Sequence, residues 1–299
     1  MRLDDLDPTS NARDRGGFGG GGGGGGGLFG MLFFLPMIFG RKIGCAMIVV
    51  VIGAMMVFGF LGSGGTDTGT GTVSPNQVAQ GGASGGAAAC NTPERLESCR
   101  VMTLADQTWG QIFQQAGQSY SPATINFFTG NVQSGCGSAS SAVGPFYCPA
   151  DDGVYLDTKF FDELSQQFGA KGDLARIYVI AHEVGHHIQD LLGTSEEVSR
   201  QQARSDERGS NRLSVQLELQ ADCYAGVFFG RNTARLEGGD IEEGMTAANA
   251  IGDDTLQQGA QGGVRPETFT HGTSAQRMAW LRKGLESGDP TVCNTSGEG

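Results

Sequence analysis

One uncharged stretch of this 299-residue chain restricts its possible architectures more than any other feature does. Residues 43–61 are nineteen consecutive residues without a charge. A helix of that length can cross the hydrocarbon core of a bilayer, which is about 30 Å thick. We therefore predict a single transmembrane helix at about residues 43–61, within a membrane anchor of residues 28–61. A cleavable signal peptide is the alternative, but the stretch is long for one and starts late in the chain.

Glycine content separates the rest of the chain into dissimilar parts. Of the 51 glycines, 25 lie in the first 89 residues. Residues 1–27 are polar and then almost entirely glycine, and such a segment buries too little apolar surface to offset its ordering entropy. We predict a disordered tail at residues 1–27 and a flexible Gly/Ser/Thr linker at residues 62–89. A domain of residues 90–293 and a short tail of residues 294–299 follow.

Basic residues near the predicted helix indicate its orientation. Five Lys or Arg residues precede it, including Arg41 and Lys42 at its edge, and the next basic residue after it is Arg95. Because Lys and Arg are retained on the cytoplasmic side, the N-terminus is expected in the cytoplasm and the domain outside it.

The net charge of −12 disfavours two classes of partner. The first 89 residues carry five basic and five acidic side chains, so the whole excess belongs to residues 90–299. Nucleic-acid binding requires a basic face, and so does adsorption to anionic lipid. We therefore expect no nucleic-acid partner for the predicted domain.

Cysteine usage agrees with export of the domain. Of the seven cysteines, Cys45 lies in the predicted transmembrane helix and six lie in the domain. Six cysteines in an oxidising compartment could form three disulfides, in fifteen possible pairings. The simplest pairing joins neighbours in sequence, which gives Cys90 with Cys99, Cys136 with Cys148, and Cys223 with Cys293. A cysteine metal site is the competing interpretation, and the lack of any C-x-x-C pair in the sequence disfavours it.

Three of the four histidines stand within the six residues H-E-V-G-H-H, from His182 to His187. Apolar residues at helical spacing between Leu174 and Leu191 predict that this segment is a helix. Residues four apart share one helix face, so His182 and His186 can present both imidazoles to one point. Two imidazoles so placed suit Zn²⁺. Glu183 lies beside them, where it can take a proton from a zinc-bound water and pass it to a leaving amine.

A third ligand is needed, because the alternative is that these are ordinary surface or core histidines. Residues 213–230 show a second apolar stripe of helical period, with Glu218 and Asp222 in a polar column one turn apart. We predict Glu218 as the third zinc ligand. Asp222 is predicted to accept a hydrogen bond from a liganding imidazole. An ordinary solvated helix face is the competing interpretation for both carboxylates.

His187 and His271 are the two histidines outside the predicted ligand pair. His187 is rotated about 100° from His186 around the helix, so we expect it to pack beside the ligands or support them. His271 stands just before a predicted helix that Thr273 or Ser274 would cap. A histidine there could donate to the oxyanion that forms when a peptide carbonyl is attacked, and a structural role is the alternative.

Short strands are predicted at residues 124–128, 144–148 and 154–157. An exposed strand edge near the metal would hold an extended peptide through main-chain hydrogen bonds. The segment from Ala142 to Phe146 is the predicted edge.

Three blocks of sequence together resemble a known family. They are H-E-V-G-H-H-I-Q at 182–189, E-L-Q-A-D-C-Y-A-G at 218–226 and F-T-H-G-T-S-A-Q-R at 269–277. These blocks are similar to the neutral zinc metallopeptidases of bacteria, which are membrane-anchored proteins with a gluzincin-type site. The resemblance covers roughly residues 90–293. It implies an α+β, zincin-like domain behind a single N-terminal transmembrane helix, in a bacterial inner or plasma membrane.

The resemblance implies the same site as the residues themselves do: one Zn²⁺ bound by His182, His186 and Glu218, with Glu183 as general base. The predicted function is therefore hydrolysis of peptide bonds in a peptide or protein substrate. Two alternatives remain: a non-catalytic envelope scaffold or peptide-binding domain with a structural zinc, and a zinc amidase that acts on cell-wall amides. Structural zinc sites usually close all four positions with protein ligands, so three candidate ligands favour catalysis.

Overall fold

The computed structural model describes residues 1–16, 85–170, 172–261 and 263–298. These residues form a mixed α and β structure in which helices predominate, which confirms the predicted α+β class. In this part of the chain, no helix combines the length and the apolar character needed to cross a membrane. The predicted anchor, residues 28–61, lies outside the described residues.

The strands divide into a four-stranded sheet and a hairpin. In the described ranges they are β1 (Ala12–Asp14), β2 (Thr124–Phe127), β3 (Asn131–Ser134), β4 (Gly137–Ser140), β5 (Phe146–Cys148) and β6 (Gly153–Leu156). The sheet has the order β1-β2-β6-β5, and β5 runs antiparallel to β6 while the other pairs are parallel. β3 and β4 form the hairpin. β1 and β5 are therefore the opposite edges of the sheet, and the three predicted strands correspond to β2, β5 and β6.

Helices supply most of the remaining structure. Those of the described residues are α1 (Pro93–Gln115), α2 (Lys159–Phe168), α3 (Asp173–Leu191), α4 (Thr194–Gln202), α5 (Glu207–Arg231), α6 (Asp240–Ala250), α7 (Asp253–Gln261) and α8 (Ser274–Ser287). The two helices predicted from their apolar stripes are α3 and α5. α5 begins six residues before the predicted stripe because Asp206 caps it, accepting a hydrogen bond from the backbone N–H of Gly209 at 2.8 Å.

Residues 1–16 differ from the predicted disordered tail. They contain β1, and Leu3, Leu6 and Ala12 are buried in the same hydrophobic core as residues of α1. The prediction of disorder rests on the glycine run at residues 16–27, and it does not hold for the residues before that run. The apolar side chains before that run find their partners about a hundred residues later in the chain, which composition alone does not reveal.

Two glycines set how closely the central helices pack. A Cβ on Gly185 of α3 would lie 2.8 Å from the carbonyl oxygen of Ala221 in α5. A Cβ on Gly284 of α8 would overlap the carbonyl oxygen of Cys223, also in α5. Glycine at these positions therefore allows α3, α5 and α8 to lie side by side with backbones almost in contact.

The three predicted disulfides are confirmed. Cys90 is bonded to Cys99, Cys136 to Cys148, and Cys223 to Cys293. The last of these joins the middle of α5 to the end of the domain across 70 residues of sequence.

Candidate metal centre

α3 and α5 bring together the three predicted metal ligands. One ligand atom from each of His182, His186 and Glu218 lies within 4.8 Å of the other two. Oε2 of Glu218 is 3.1 Å from Nε2 of His182, and its Oε1 is 3.4 Å from Nε2 of His186. Two imidazole nitrogens and one carboxylate thus converge on a single point.

The Nδ1 nitrogen of each imidazole makes a hydrogen bond to a neighbouring side chain. Nδ1 of His182 donates to Oδ1 of Asp222 at 2.9 Å, and Nδ1 of His186 donates to Oε1 of Gln189 at 2.9 Å. The Gln189 amide is oriented by its Nε2, which donates to the carbonyl oxygen of Leu217 at 2.7 Å. Because both of these partners are acceptors, each Nδ1 carries a hydrogen, so Nε2 is the nitrogen that can bind a metal when the ring is neutral.

This donor set fits Zn²⁺. Neutral imidazole nitrogens and a carboxylate are ligands that zinc prefers, and a fourth position is left for water or substrate. Burial opposes ionisation of Glu218, but the two imidazoles, when protonated, outweigh it and hold the pKa of Glu218 well below its usual value. A carboxylate that stays ionised is the state that binds a cation.

Asp222 is fully buried and accepts hydrogen bonds from three side chains. Besides His182, these are the Tyr178 hydroxyl at 2.6 Å and Arg277, whose Nε and Nη2 lie 2.8 and 3.0 Å from the two carboxylate oxygens. Burial opposes its ionisation, yet the Arg277 guanidinium and His182 lower the pKa of Asp222 below its usual value. Asp222 is therefore a charged group that fixes the His182 ring.

Glu183 lies beside the ligands with only 7% of its surface exposed. It lines the same cleft as His182 and His186. Burial raises the pKa of Glu183, although the two imidazoles oppose this. A carboxylate with a raised pKa suits a group that takes a proton and returns it.

His271 reaches the cleft from the segment before α8. Its Nδ1 is 3.1 Å from Oδ1 of Asp253, and the backbone N–H groups of Thr270 and His271 each donate to Oδ2 of Asp253 at 2.7 Å. The hydrogen bond that His271 donates to Asp253 raises the pKa of His271 against the effect of burial. Thr273 caps α8, as the sequence predicted. Asp253 therefore fixes both the loop and the imidazole.

His187 makes no hydrogen bond to His182, His186 or Glu218, so its contacts fit the first of its two predicted roles, packing, and not support of the ligands. Its Nε2 donates to the carbonyl oxygen of Ser121 at 2.6 Å, and its Nδ1 accepts from the Tyr147 hydroxyl at 3.0 Å. Burial lowers the pKa of His187. The rotation of 100° per residue points this ring away from the metal ligands, and it ties α3 to strand β5 instead.

A cleft of about 680 Å³ opens over these residues. Its lining includes the segment 141–147, which contains the start of the edge strand β5. The apolar side chains Val179, Ile251 and Leu256 also line the cleft and are called its apolar wall. The predicted peptide-binding segment, 142–146, thus lies against the cleft, partly as a short 3₁₀ helix at Ser141–Val143.

Four residues of the site were not assigned from the sequence. Gln189 and Tyr178 could have been, because they stand three residues after His186 and four residues before His182 on the same helix. Asp253 and Arg277 act from other elements, and no local pattern connects them to α3.

Fold and site together define a class of protein: an α+β domain with an H-E-x-x-H helix and a candidate metal site made of its two histidines and a glutamate from a second helix. Residues 1–296 match the family described as "Putative neutral zinc metallopeptidase", and the chain belongs to this family.

Relatives in the family extend over most of the domain. "Uncharacterized protein YpfJ" of Escherichia coli (strain K12) is 49% identical over 201 residues, which cover 66% of this chain and 70% of that protein. Two mycobacterial proteins, Mb2605 of Mycobacterium bovis and Rv2575 of Mycobacterium tuberculosis, are each 42% identical over 217 residues, or 67% of this chain and 71% of theirs. No solved structure matches the chain.

Proposed function

We propose that the protein is a zincin-like peptidase that hydrolyses peptide bonds, with one Zn²⁺ held by His182, His186 and Glu218. The observation that carries the proposal is the fixed orientation of both imidazoles. Asp222 and Gln189 hold the two Nδ1 hydrogens, so both Nε2 atoms face Glu218 beside the buried carboxylate of Glu183.

A bound zinc would supply a Lewis acid that polarises the substrate carbonyl and makes water more acidic. Glu183 would orient the attacking water, accept its proton and deliver it to the leaving amine. His271, held by Asp253, would donate a hydrogen bond to the oxygen on which negative charge develops.

The cleft supports an extended peptide as substrate. β5 pairs with β6 on one side only and forms an edge of the sheet beside the cleft. Such an edge offers main-chain hydrogen bonds to an extended peptide, independent of its sequence. The apolar wall of Val179, Ile251 and Leu256 favours an aliphatic side chain next to the bond that is cleaved.

Export of the domain from the cytoplasm is also part of the proposal. Three disulfides in one domain are typical of proteins that fold in an oxidising compartment. The uncharged residues 43–61 would attach the protein to the bacterial inner or plasma membrane.

Glu183→Gln tests the mechanism. We expect the variant to bind zinc as the parent does and to lose peptidase activity by about 10³-fold, since a general base contributes about 10²–10⁴-fold. His186→Ala should lose both zinc and activity, and Glu196→Gln, at an exposed glutamate of α4, should change neither. The measurements are zinc content and digestion of a peptide library at neutral pH.

The same digest separates the alternatives. Cleavage by Glu183→Gln at the parental rate would refute the proposed mechanism. A zinc-loaded parent that cleaves no peptide would instead indicate a structural zinc or, if it released amines from cell-wall amides, an amidase. The open cleft beside the ligands argues against a purely structural metal, whose four positions are usually closed by protein.

A further inference from the structure

The first sixteen residues belong to the fold of the domain. β1 pairs in parallel with β2, in a register that places Ala12 beside Ile125 and Asp14 beside Phe127. The flanking backbone continues this pairing, since the N–H of Arg15 donates to the carbonyl oxygen of Phe127 at 2.8 Å.

Side chains attach the same segment to α1. Arg95 forms an ion pair with Asp14 at 2.7 Å, and Nε of Arg100 donates to the carbonyl oxygen of Leu6 at 3.1 Å. Leu3 and Leu6 contribute to the hydrophobic core. The segment is thus held by backbone, polar and apolar contacts together.

The chain leaves the domain and returns to it at one place. Gly85 forms an antiparallel bridge with Arg13 and therefore lies against the outer side of β1. Residues 16 and 85 therefore both lie at the β1 edge of the sheet, and the uncharged residues 43–61 fall between them in sequence.

β1 and β2 cannot stand on opposite sides of a membrane, because strands that share hydrogen bonds lie about 4.8 Å apart and the hydrocarbon layer is about 30 Å thick. Arg2, Arg13 and Arg15 are three of the five basic residues that precede the predicted transmembrane helix. All three belong to the folded domain, so they do not mark a cytoplasmic tail.

We infer that residues 1–16 and residues 85–298 lie on the same side of the membrane. This inference rests on the proposed membrane attachment.

Cysteine labelling of the full chain tests the sidedness. With Cys45 replaced by serine, Ser10→Cys and Ser199→Cys each add one exposed thiol, in the N-terminal segment and in α4 respectively. We expect a membrane-impermeant maleimide to label both in intact spheroplasts to the same extent. Labelling of Ser199→Cys with protection of Ser10→Cys, until the membrane is permeabilised, would overturn the inference.

Two further outcomes are informative. Protection of both thiols before permeabilisation would support the common side while refuting export of the domain. If Ser10→Cys fails to accumulate, Asp7→Cys provides a second exposed position in the same segment.

Discussion

Gln189 supports the candidate metal site without being one of its predicted ligands. Its carbonyl oxygen accepts the Nδ1 hydrogen of His186, and its amide nitrogen is held in turn by the carbonyl oxygen of Leu217 in α5. One side chain thus sets the tautomer of a ligand and links the two helices that supply all three ligands.

Gln189→Met should weaken zinc binding while the protein remains folded. Methionine has a similar volume but accepts no strong hydrogen bond, so His186 would lose the partner that fixes its ring. Loss of such a partner typically reduces metal affinity by about 10–100-fold. Competition with a chelator gives the affinity. Gln216→Met, on α5 and bonded to the chain end instead of to a ligand, is the matched control and should bind zinc as the parent does.

At the scale of elements, the close approach of α3 to α5 depends on Gly185. A Cβ there would lie 2.8 Å from the oxygen and 3.0 Å from the Cα of Ala221, and neither backbone atom can move without its helix. The fourth residue of the H-E-x-x-H motif therefore has a packing role of its own.

Gly185→Ala is expected to destabilise the protein and reduce zinc binding together. Overpacking typically costs about 1–3 kcal/mol, which exceeds the roughly 1 kcal/mol that alanine gains over glycine in a helix. Gly110→Ala is the control, because a Cβ on Gly110 of α1 would make only an ordinary contact of 3.8 Å with Tyr120. Urea unfolding should show a loss of stability for the first variant and none for the second. Equal stabilities would contradict the packing argument.

Sequence patterns succeeded where the information is local. Helical period located α3 and α5, a capping residue located the start of α8, and neighbouring cysteines gave the disulfides. They failed where a partner lies far along the chain. β1 is three residues long and gains its stability from β2, and Arg277 reaches Asp222 only because α8 packs against α5. No spacing rule connects such positions.

For the whole molecule, Asp106 of α1 makes stability depend on pH. It accepts a hydrogen bond from the Tyr120 hydroxyl at 2.7 Å. Burial raises the pKa of Asp106 from its ordinary 3.8 to about 6, although that hydrogen bond opposes the rise. The folded state thus favours the neutral carboxyl. The contribution of this group to stability is complete below about pH 4 and is lost as the pH rises through 6.

Asp106→Asn should remove this dependence. Relative to the variant, the free energy of unfolding of the parent is expected to fall by about 2 to 3 kcal/mol between pH 4 and 7. Denaturant titrations across that range provide the measurement. Asp162→Asn, at an exposed aspartate of α2, removes one carboxylate without altering a buried one. A parent and Asp106→Asn variant with parallel pH profiles would contradict the assignment.

The position of β1 also has a consequence for biosynthesis. The ribosome makes this edge strand before the rest of the sheet, and its neighbour β2 follows roughly 110 residues later. At about 5–20 residues per second, that interval is roughly 5–20 s. For most of it the core residues of α1 that join Leu3 and Leu6 have not been made either, and the sheet closes only when β1 meets the much younger β2. Assembly of the domain is therefore a late event, completed well after the chain has begun to emerge.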